Sequence, residues 1–238
     1  MTFADIMLML GETLAITVIS TIFAYVLGLP CGVLLNVTSK NGLKPCKWLN
    51  FIVGFIVNVL RSVPCLIIIV ICIPWSRAFF GRGTGEWYTI LIPLTVCAFG
   101  FVSRMVEQSL AEVPAGEIEA VKSLGATDFQ IIMKVLIPEA KVSLVTGAAV
   151  VAVSIIGYTS FAYNIGAGGL IVSFFSPNKR GGGAFFSGIT PYSPRHTGDY
   201  LSQGIFWILI VVVVLVVQLI QELGLKIAKK IDKRRLLK

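Results

Sequence analysis

The chain has 238 residues, of which 56% are hydrophobic and only 13% are charged, and its mean hydropathy is +0.88. A soluble domain usually has about 25% charged residues, so the composition excludes an ordinary soluble protein and predicts an integral membrane protein. The formal net charge of +8 does not indicate binding to nucleic acid, because seven of the twenty basic residues fall in the last thirteen positions. That basic tail, residues 226–238, directly follows an apolar run, which is typical of a segment at the membrane surface.

Five apolar runs are long enough to cross a bilayer, and helix is the expected state of each because lipid offers no partners to an open backbone. The second run is too long for one straight crossing, since the 28 residues of 48–75 would cover roughly 42 Å against a hydrocarbon core of about 30 Å. Residues 48–60 are therefore expected to lie partly in the interface, with Pro64 as a break near the start of the crossing itself. The predicted spans are about 13–36, 50–75, 87–108, 141–163 and 203–225.

The distribution of lysine and arginine predicts how the chain is oriented. With the N-terminus outside, the cytoplasmic segments hold fourteen of these residues and the outer segments five, while Arg61 is expected to extend to the inner interface. This bias predicts an outer N-terminus and a cytoplasmic C-terminus. The segment of about 109–140 is then cytoplasmic, and residues 164–202 form a long outer loop, rich in Gly, Ser and Pro, that is expected to be a connector.

The cytoplasmic segment carries the signals of two short helices joined at an elbow. Pro114 can open a helix because its missing N–H costs nothing in the first turn, and Gly125 suits the left-handed conformation that ends one. Thr127 and Gln130 have the spacing of a capping box, which predicts the start of the second helix, and Pro138 is expected to mark the turn back toward the membrane. The second helix would carry an apolar stripe of Phe129, Ile132, Met133 and Leu136.

The charge of this elbow favours a protein partner over the membrane surface. Its acidic residues outnumber its lysines, and anionic lipid would not attract such a segment.

The stretch EAVKSLGATDFQIIMKVLIP, residues 119–138, resembles the EAA motif of ABC-importer permeases, E-A-A-x3-G-x9-I-x-L-P. Glu119, Ala120, Gly125 and Pro138 match at the family spacing. In that family the elbow is the coupling helix, which docks in a groove on the ATP-hydrolysing subunit. The resemblance therefore implies a coupling site formed by Glu119, Ala120, Gly125, Ala126, Thr127 and Pro138.

Three further stretches are similar to the permease subunit of methionine importers: VLRSVP at 59–64, IPLTVCAFGFVSRMVEQSL at 92–110 and GYTSFAYNIGAGGL at 157–170. The likeness covers about residues 10–170 and the last helix, and fails at about 171–202. It implies a type I importer permease with one transmembrane domain, residues 10–225, in a bacterial plasma membrane. It also implies a homodimer that works with two ATPase subunits and a substrate-binding protein. Methionine follows from the likeness alone, and another amino acid or small solute is the alternative.

The sequence contains no catalytic signature of its own. It lacks the G-x4-G-K-[ST] phosphate loop, and its single histidine, His196, has no second histidine to pair with. We therefore predict no catalytic residue, metal site or cofactor. No acid is placed in the middle of a span, which disfavours an ion-coupled transporter. A membrane-embedded enzyme is the alternative from another class, and it would need a cluster of acids or histidines at one interface.

The pathway should be lined by spans with small and polar residues, and the fourth span, which includes Ser154, fits this description. Tyr158 and Phe161 follow at helical spacing near its outer end. They could form an aromatic belt at the headgroups or a gate at the dimer axis, and the resemblance favours the gate. Asn58 and Ser62, near the second span, are weaker candidates for the pathway.

Two other pairs are expected to be structural. Gly28 and Gly32 form a small-x3-small face on the first span, which predicts close packing within the chain. Arg104 and Glu107, three residues apart at the inner end of the third span, are expected to form an ion pair on the helix surface.

Overall fold

The computed structural model describes residues 3–170 and 203–232, and every element in these ranges is helical. The predicted outer loop from residue 171 to 202 and the last six residues of the basic tail lie outside the described residues. The α-helices are α1 (Phe3–Thr38), α2 (Lys47–Ser62), α3 (Cys65–Phe80), α4 (Leu91–Ala111), α5 (Ala115–Ser123), α6 (Asp128–Ile131), α7 (Ile137–Tyr158) and α8 (Gln203–Ile231). A 3₁₀ turn (Trp87–Ile90) precedes α4, a π-helical turn (Ile132–Leu136) joins α6 to α7, and a 3₁₀ segment (Thr159–Ile165) follows α7.

Four helical stretches in the described part of the chain are long and apolar enough to cross a membrane, and α2 and α3 together make a fifth if they form one broken span. The predicted number of five crossings is thus reached only with that pair. The first and third of these stretches, which correspond to the first and fourth predicted spans, are longer than expected from the sequence. They begin before residues 13 and 141 because both apolar runs continue from helical segments that precede them. The four stretches are Ile6–Thr38, Trp87–Ala111, Asp128–Ala162 and Trp207–Ile231.

The predicted break at Pro64 is confirmed. Pro64 has extended backbone angles, with φ −55° and ψ 136°, and α3 begins at the next residue. Proline cannot donate a backbone hydrogen bond, and it disfavours the helical conformation of the residue before it, so the chain bends here. On α2, the aromatic side chains of Trp48, Phe51 and Phe55 are exposed, which is the face expected of a helix that contacts lipid.

The described residues divide into two compact units. The first unit contains residues 3–22, 63–97, 152–170 and 203–220, and the second contains residues 23–62, 98–151 and 221–232.

In the second unit, α1 packs against α4 through two glycines, as predicted. A methyl group built on Gly28 would lie 2.6 Å from a side-chain carbon of Val102, and one built on Gly32 would lie 2.6 Å from the carbonyl oxygen of Ser103 and from Cβ of Val106. Only hydrogen fits at either position. The small-x3-small face therefore serves packing within the chain.

In the first unit, α1 holds the segment that follows the fourth span. The backbone N–H of Gly169 donates to Oε2 of Glu12 over 2.9 Å, and the N–H of Leu170 donates to Oγ1 of Thr13 over 2.7 Å. Gly169 has φ +115°, a conformation that glycine adopts without strain. A methyl group on Gly168 would meet Oε2 of Glu12, so glycine at this position leaves room for the carboxylate. We refer to the contact of Glu12 and Thr13 with residues 168–170 as the α1 clamp.

Candidate functional site

The first helix of the predicted elbow is α5, and its ends are built as the sequence indicates. Pro114 is the N-cap residue, with φ −60° and ψ 133°, and Glu117 lies in the first turn. Lys122 lies in the last turn. An acid near the N-terminus and a base near the C-terminus both interact favourably with the helix dipole.

The elbow itself depends on the backbone of Gly125. Its φ is +82°, and its N–H donates to the carbonyl oxygen of Lys122 over 3.0 Å. A Cβ at this position would meet no atom within 4 Å, so glycine is required by conformation and not by space. Left-handed backbone after a helix is the usual place for glycine, because a side chain there clashes with its own carbonyl.

The capping box at the start of α6 is confirmed. The Thr127 N–H donates to Oε1 of Gln130 over 2.9 Å, and the Gln130 N–H donates to Oγ1 of Thr127 over 3.3 Å. Beside it, Nζ of Lys44 lies 3.1 Å from Oδ2 of Asp128, and this ion pair joins the α1–α2 connection to the elbow. The end of α5 and the start of α6 are therefore both fixed by local bonds.

We expect Thr127→Ala to loosen the start of α6 without unfolding the bundle. Loss of a threonine cap costs about 1 kcal/mol in typical helices. Hydrogen–deuterium exchange should become faster at residues 128–131 and stay unchanged in α4, where the backbone bonds are independent of the cap. Unchanged exchange across α6 would show that the capping box does not hold it.

The prediction that Pro138 turns the chain back toward the membrane is wrong. Pro138 is the second residue of α7, and the helix runs from Asp128 through the π-helical turn to Tyr158 without a break. Proline has no N–H to donate, and a π-helical turn in the preceding residues widens the backbone, so the helix continues past the ring. The second helix of the elbow is therefore the beginning of the fourth span.

The predicted apolar stripe of the elbow is divided between a buried and an exposed side. Leu136 is buried together with Ile131, whereas Phe129 is 71% exposed and Met133 is 50% exposed. Leu124, which precedes the glycine, is 87% exposed. Large apolar side chains with this exposure in a polar segment are typical of a protein interface. We call Leu124, Phe129 and Met133 the apolar knob of the elbow.

The residues that the resemblance implies for the coupling site differ in exposure. Glu119, Ala120, Gly125 and Thr127 are exposed, whereas Ala126 and Pro138 are half-buried. A groove of about 740 Å³ runs between α5 and the connection that follows α1. Its lining includes Lys40, Asn41, Glu119, Lys122 and Leu136.

The ion pair of Arg104 and Glu107 is confirmed, with 2.6 Å between Nη1 and Oε2. It is less exposed than a helix-surface pair, because the two side chains are only 23% and 20% exposed. Arg104 also donates from Nε and Nη2 to Oδ1 of Asn58, over 3.2 and 2.9 Å, and from Nη2 to the carbonyl oxygen of Gly54 over 3.3 Å. The arginine therefore holds α2 against α4, which periodicity along α4 alone could not indicate.

The weaker pathway candidates, Asn58 and Ser62, are both bonded within the chain. Oδ1 of Asn58 accepts from Arg104, and Oγ of Ser62 donates to the carbonyl oxygen of Asn58 over 2.8 Å. Their polar atoms thus already serve the structure.

The candidates at the predicted outer end of the fourth span lie in the first unit. Tyr158 packs against a cluster of Ile68, Cys72 and Cys97, and Phe161 is half-buried in the 3₁₀ segment after α7. Ser154 is half-buried on α7. The gate and belt roles of the two aromatic residues remain predictions.

The small residues of the fourth span pack closely in the second unit, as their size suggests. Oγ atoms of Ser109 and Ser143 lie 2.9 Å apart, and a methyl group on Gly147 would meet the thioether of Met105. These residues line a cavity of about 500 Å³ together with Thr146. Among residues 3–170 and 203–232, no three His, Cys, Asp or Glu side chains are placed to hold a metal ion.

Apolar spans around small-residue packing, together with a rigid elbow between the third and fourth spans, define an integral membrane permease. Residues 24–231 match the family described as binding-protein-dependent transport system inner membrane component, and the chain belongs to this family. It is therefore a transport component of the inner membrane and not an enzyme, so the alternative of a membrane-embedded enzyme is wrong.

Individual relatives agree with this assignment. The chain is 35% identical over 223 residues to a probable D-methionine transport system permease protein of Pasteurella multocida, covering 94% of each chain. It is 44% identical over 149 residues to the D-methionine transport system permease protein of Escherichia coli, covering 63% of this chain and 68% of that one. An inward-facing structure of the MetNI methionine ABC transporter superposes with a TM-score of 0.84 at 34% identity, covering 98% of this chain and 100% of that chain. The type I importer permease fold is thus shown.

Proposed function

We propose that this chain is the membrane-spanning subunit of an ATP-driven importer, and that it forms the pathway for methionine or a closely related amino acid. The observation that carries the proposal is the elbow at Gly125, a rigid and exposed projection at the start of the fourth span. The substrate is supported by relatives named D-methionine permeases, one of which is 35% identical across 94% of the chain.

The partner that fits the elbow is an ATP-hydrolysing subunit. The apolar knob of Leu124, Phe129 and Met133 presents apolar area that a partner can bury, and the acidic Glu119 and basic Lys122 beside it can set the register of docking. Because the chain has no phosphate loop, its energy must come from a separate protein. We infer a homodimer, with one ATPase subunit on each elbow.

The orientation proposed from the basic residues agrees with this arrangement. An outer N-terminus and a cytoplasmic C-terminus place the elbow in the cytoplasm, where ATP is available. The helix α8 continues past the predicted span to Ile231 and carries Lys226, Lys229 and Lys230, so the basic tail at 226–238 begins as a helix. A substrate-binding protein would deliver the amino acid from the outer side.

The continuous helix from Asp128 to Tyr158 supports a mechanical role for the elbow. Closure of paired ATPase subunits would move the elbows, and each elbow would move the fourth span directly because no turn intervenes. The bundle would then change between inward- and outward-facing states.

The test is to purify the chain with its partner ATPase subunit and to measure how substitutions in the apolar knob change the association of the two proteins. We expect Leu124→Asp combined with Phe129→Asp to weaken the association at least about tenfold, because burial of each such side chain contributes about 1.5–3 kcal/mol. The measurement is co-purification from detergent, followed by ATP-dependent uptake of radiolabelled methionine into proteoliposomes with the binding protein. Association unchanged by the two substitutions would contradict the docking site, and wild-type protein that carries other apolar amino acids but not methionine would contradict the substrate.

A further inference from the structure

Two cysteines from different helices of the first unit lie in direct contact. Cys65 is the first residue of α3, and Cys97 lies in α4, 32 positions later in the sequence. Their Sγ atoms are 2.9 Å apart, and both residues are free thiols. The two sulfur atoms of a disulfide are about 2.05 Å apart, so Cys65 and Cys97 need to approach each other by only about 0.9 Å to form one.

The packing around the two thiols keeps them together. Cys97 is buried in an apolar cluster with Ile68 and Cys72, and Cys65 packs against the same cluster. Side chains in a close-packed cluster have little room to change rotamer, so the contact between the two sulfur atoms is maintained. Cys65 is only half-buried, whereas Cys97 is buried. A small apolar oxidant therefore reaches the sulfur of Cys65 more easily than that of Cys97.

The two cysteines also lie near the two ends of one continuous segment of the first unit. That segment runs from Val63 to Cys97, and Cys65 directly follows the break at Pro64. A bond between Cys65 and Cys97 would close α3, the 3₁₀ turn and the beginning of α4 into a covalent loop. Because a cross-link removes the freedom of the joined residues to separate, the start of α3 would be fixed against α4.

We propose that Cys65 and Cys97 form a reversible disulfide that slows transport when the membrane is exposed to hydroperoxides, an inference whose transport part rests on the proposed function. The sulfur of Cys65 attacks the hydroperoxide ROOH, the O–O bond breaks, and the products are Cys65–SOH and the alcohol ROH. The sulfur of Cys97 then attacks the sulfur of Cys65, the S–O bond breaks, and the hydroxyl group leaves as water with the thiol proton of Cys97. Two thiols are oxidised and one hydroperoxide is reduced, and a dithiol reverses the bond by exchange.

The effect on transport follows from a third helix that contacts the same cluster. Tyr158, a predicted pathway residue at the end of α7, packs against the cluster that contains Cys97. A change between inward- and outward-facing states requires helices to shift against one another. A covalent link between α3 and α4 opposes such a shift at the surface on which Tyr158 lies.

The experiment oxidises the assembled transporter and measures both the bond and the uptake. Proteoliposomes with the permease–ATPase complex are treated with tert-butyl hydroperoxide, which is removed before the binding protein and radiolabelled methionine are added. Mass spectrometry of non-reduced peptides, after alkylation of the free thiols, should show Cys65 joined to Cys97. We expect ATP-dependent uptake to fall at least about fivefold, because the cross-linked helices can no longer shift, and to recover after treatment with dithiothreitol.

Three variants separate this bond from other oxidation. Cys65→Ser and Cys97→Ala should form no cross-link between these positions and should keep their uptake after the hydroperoxide. Cys72→Ser is the matched control, because it removes a thiol from the same cluster and leaves the pair intact. This variant should form the bond and lose uptake as wild type does. Oxidation of the ATPase subunit would lower uptake in every complex alike.

A wild-type complex that forms no bond between Cys65 and Cys97 would overturn the proposal. Equal loss of uptake in wild type and in Cys65→Ser would also overturn it, as would a bond that forms while uptake stays unchanged. If one of the two pair variants does not assemble, the other decides. An untreated wild-type complex that takes up no methionine would instead reject the proposed function, and the cross-link could still be measured in that complex.

Discussion

Replacing Gly125 by valine is expected to uncouple ATP hydrolysis from uptake while the protein still inserts and assembles. At φ +82° a side chain costs about 1–2 kcal/mol, and a β-branched one costs more, so the backbone of the elbow should leave this conformation. Open space around the position means that the strain is conformational and local. Methionine uptake by the reconstituted complex should fall at least about tenfold, with ATP hydrolysis retained.

Gly116→Val is the control for replacing a glycine by valine at a position where the backbone does not require glycine. Gly116 lies in α5, nine residues before Gly125, and it has neither a positive φ nor any atom within 4 Å of an added Cβ. Uptake in this variant should stay near that of wild type. Normal, ATP-coupled uptake in Gly125→Val would count strongly against the elbow as the element that receives work from the ATPase.

Replacing Gly32 by alanine is expected to produce the largest loss of stability among the glycine variants of α1. The added methyl group would lie 2.6 Å from the carbonyl oxygen of Ser103, which belongs to the backbone of α4 and cannot rotate away. Overpacking of this kind costs about 1–3 kcal/mol, and more where backbone must shift. The temperature at which the detergent-solubilised protein loses its monodisperse elution peak should fall by several degrees.

Gly11→Ala on the same helix gives the opposite expectation. No atom lies within 4 Å of a Cβ at Gly11, and alanine favours helix over glycine by about 1 kcal/mol. Its thermal stability should equal or exceed that of wild type. Equal stability of Gly32→Ala and Gly11→Ala would contradict the close approach of α1 and α4.

The features predicted well from the sequence are those set by neighbouring residues. The break at Pro64, the left-handed Gly125 and the capping box of Thr127 and Gln130 each depend on the conformational limits of one or two residue types, so their positions were confirmed. The small-x3-small face of Gly28 and Gly32 was also confirmed, because closely spaced glycines on a span have few other uses.

The features predicted poorly depend on contacts between distant parts of the chain. Pro138 was expected to mark a turn back toward the membrane, but a π-helical turn before it lets the helix continue, and nothing in the local sequence specifies that turn. The bonds that Arg104 and the helix backbone make to Asn58 and Ser62 were likewise not indicated by the sequence, and the pathway roles of these two residues stay predictions.

The α1 clamp has a consequence for how this family can vary. Gly169 and Leu170 are secured by Glu12 and Thr13 immediately before residue 171. Residues added or deleted after residue 170 would leave both hydrogen bonds in place. The length of the region that follows can therefore differ between relatives without destabilising the helices before it. The same anchorage makes the beginning of the chain indispensable: a truncation that removes residues 1–13 would take away the acceptors that secure the segment after the fourth span.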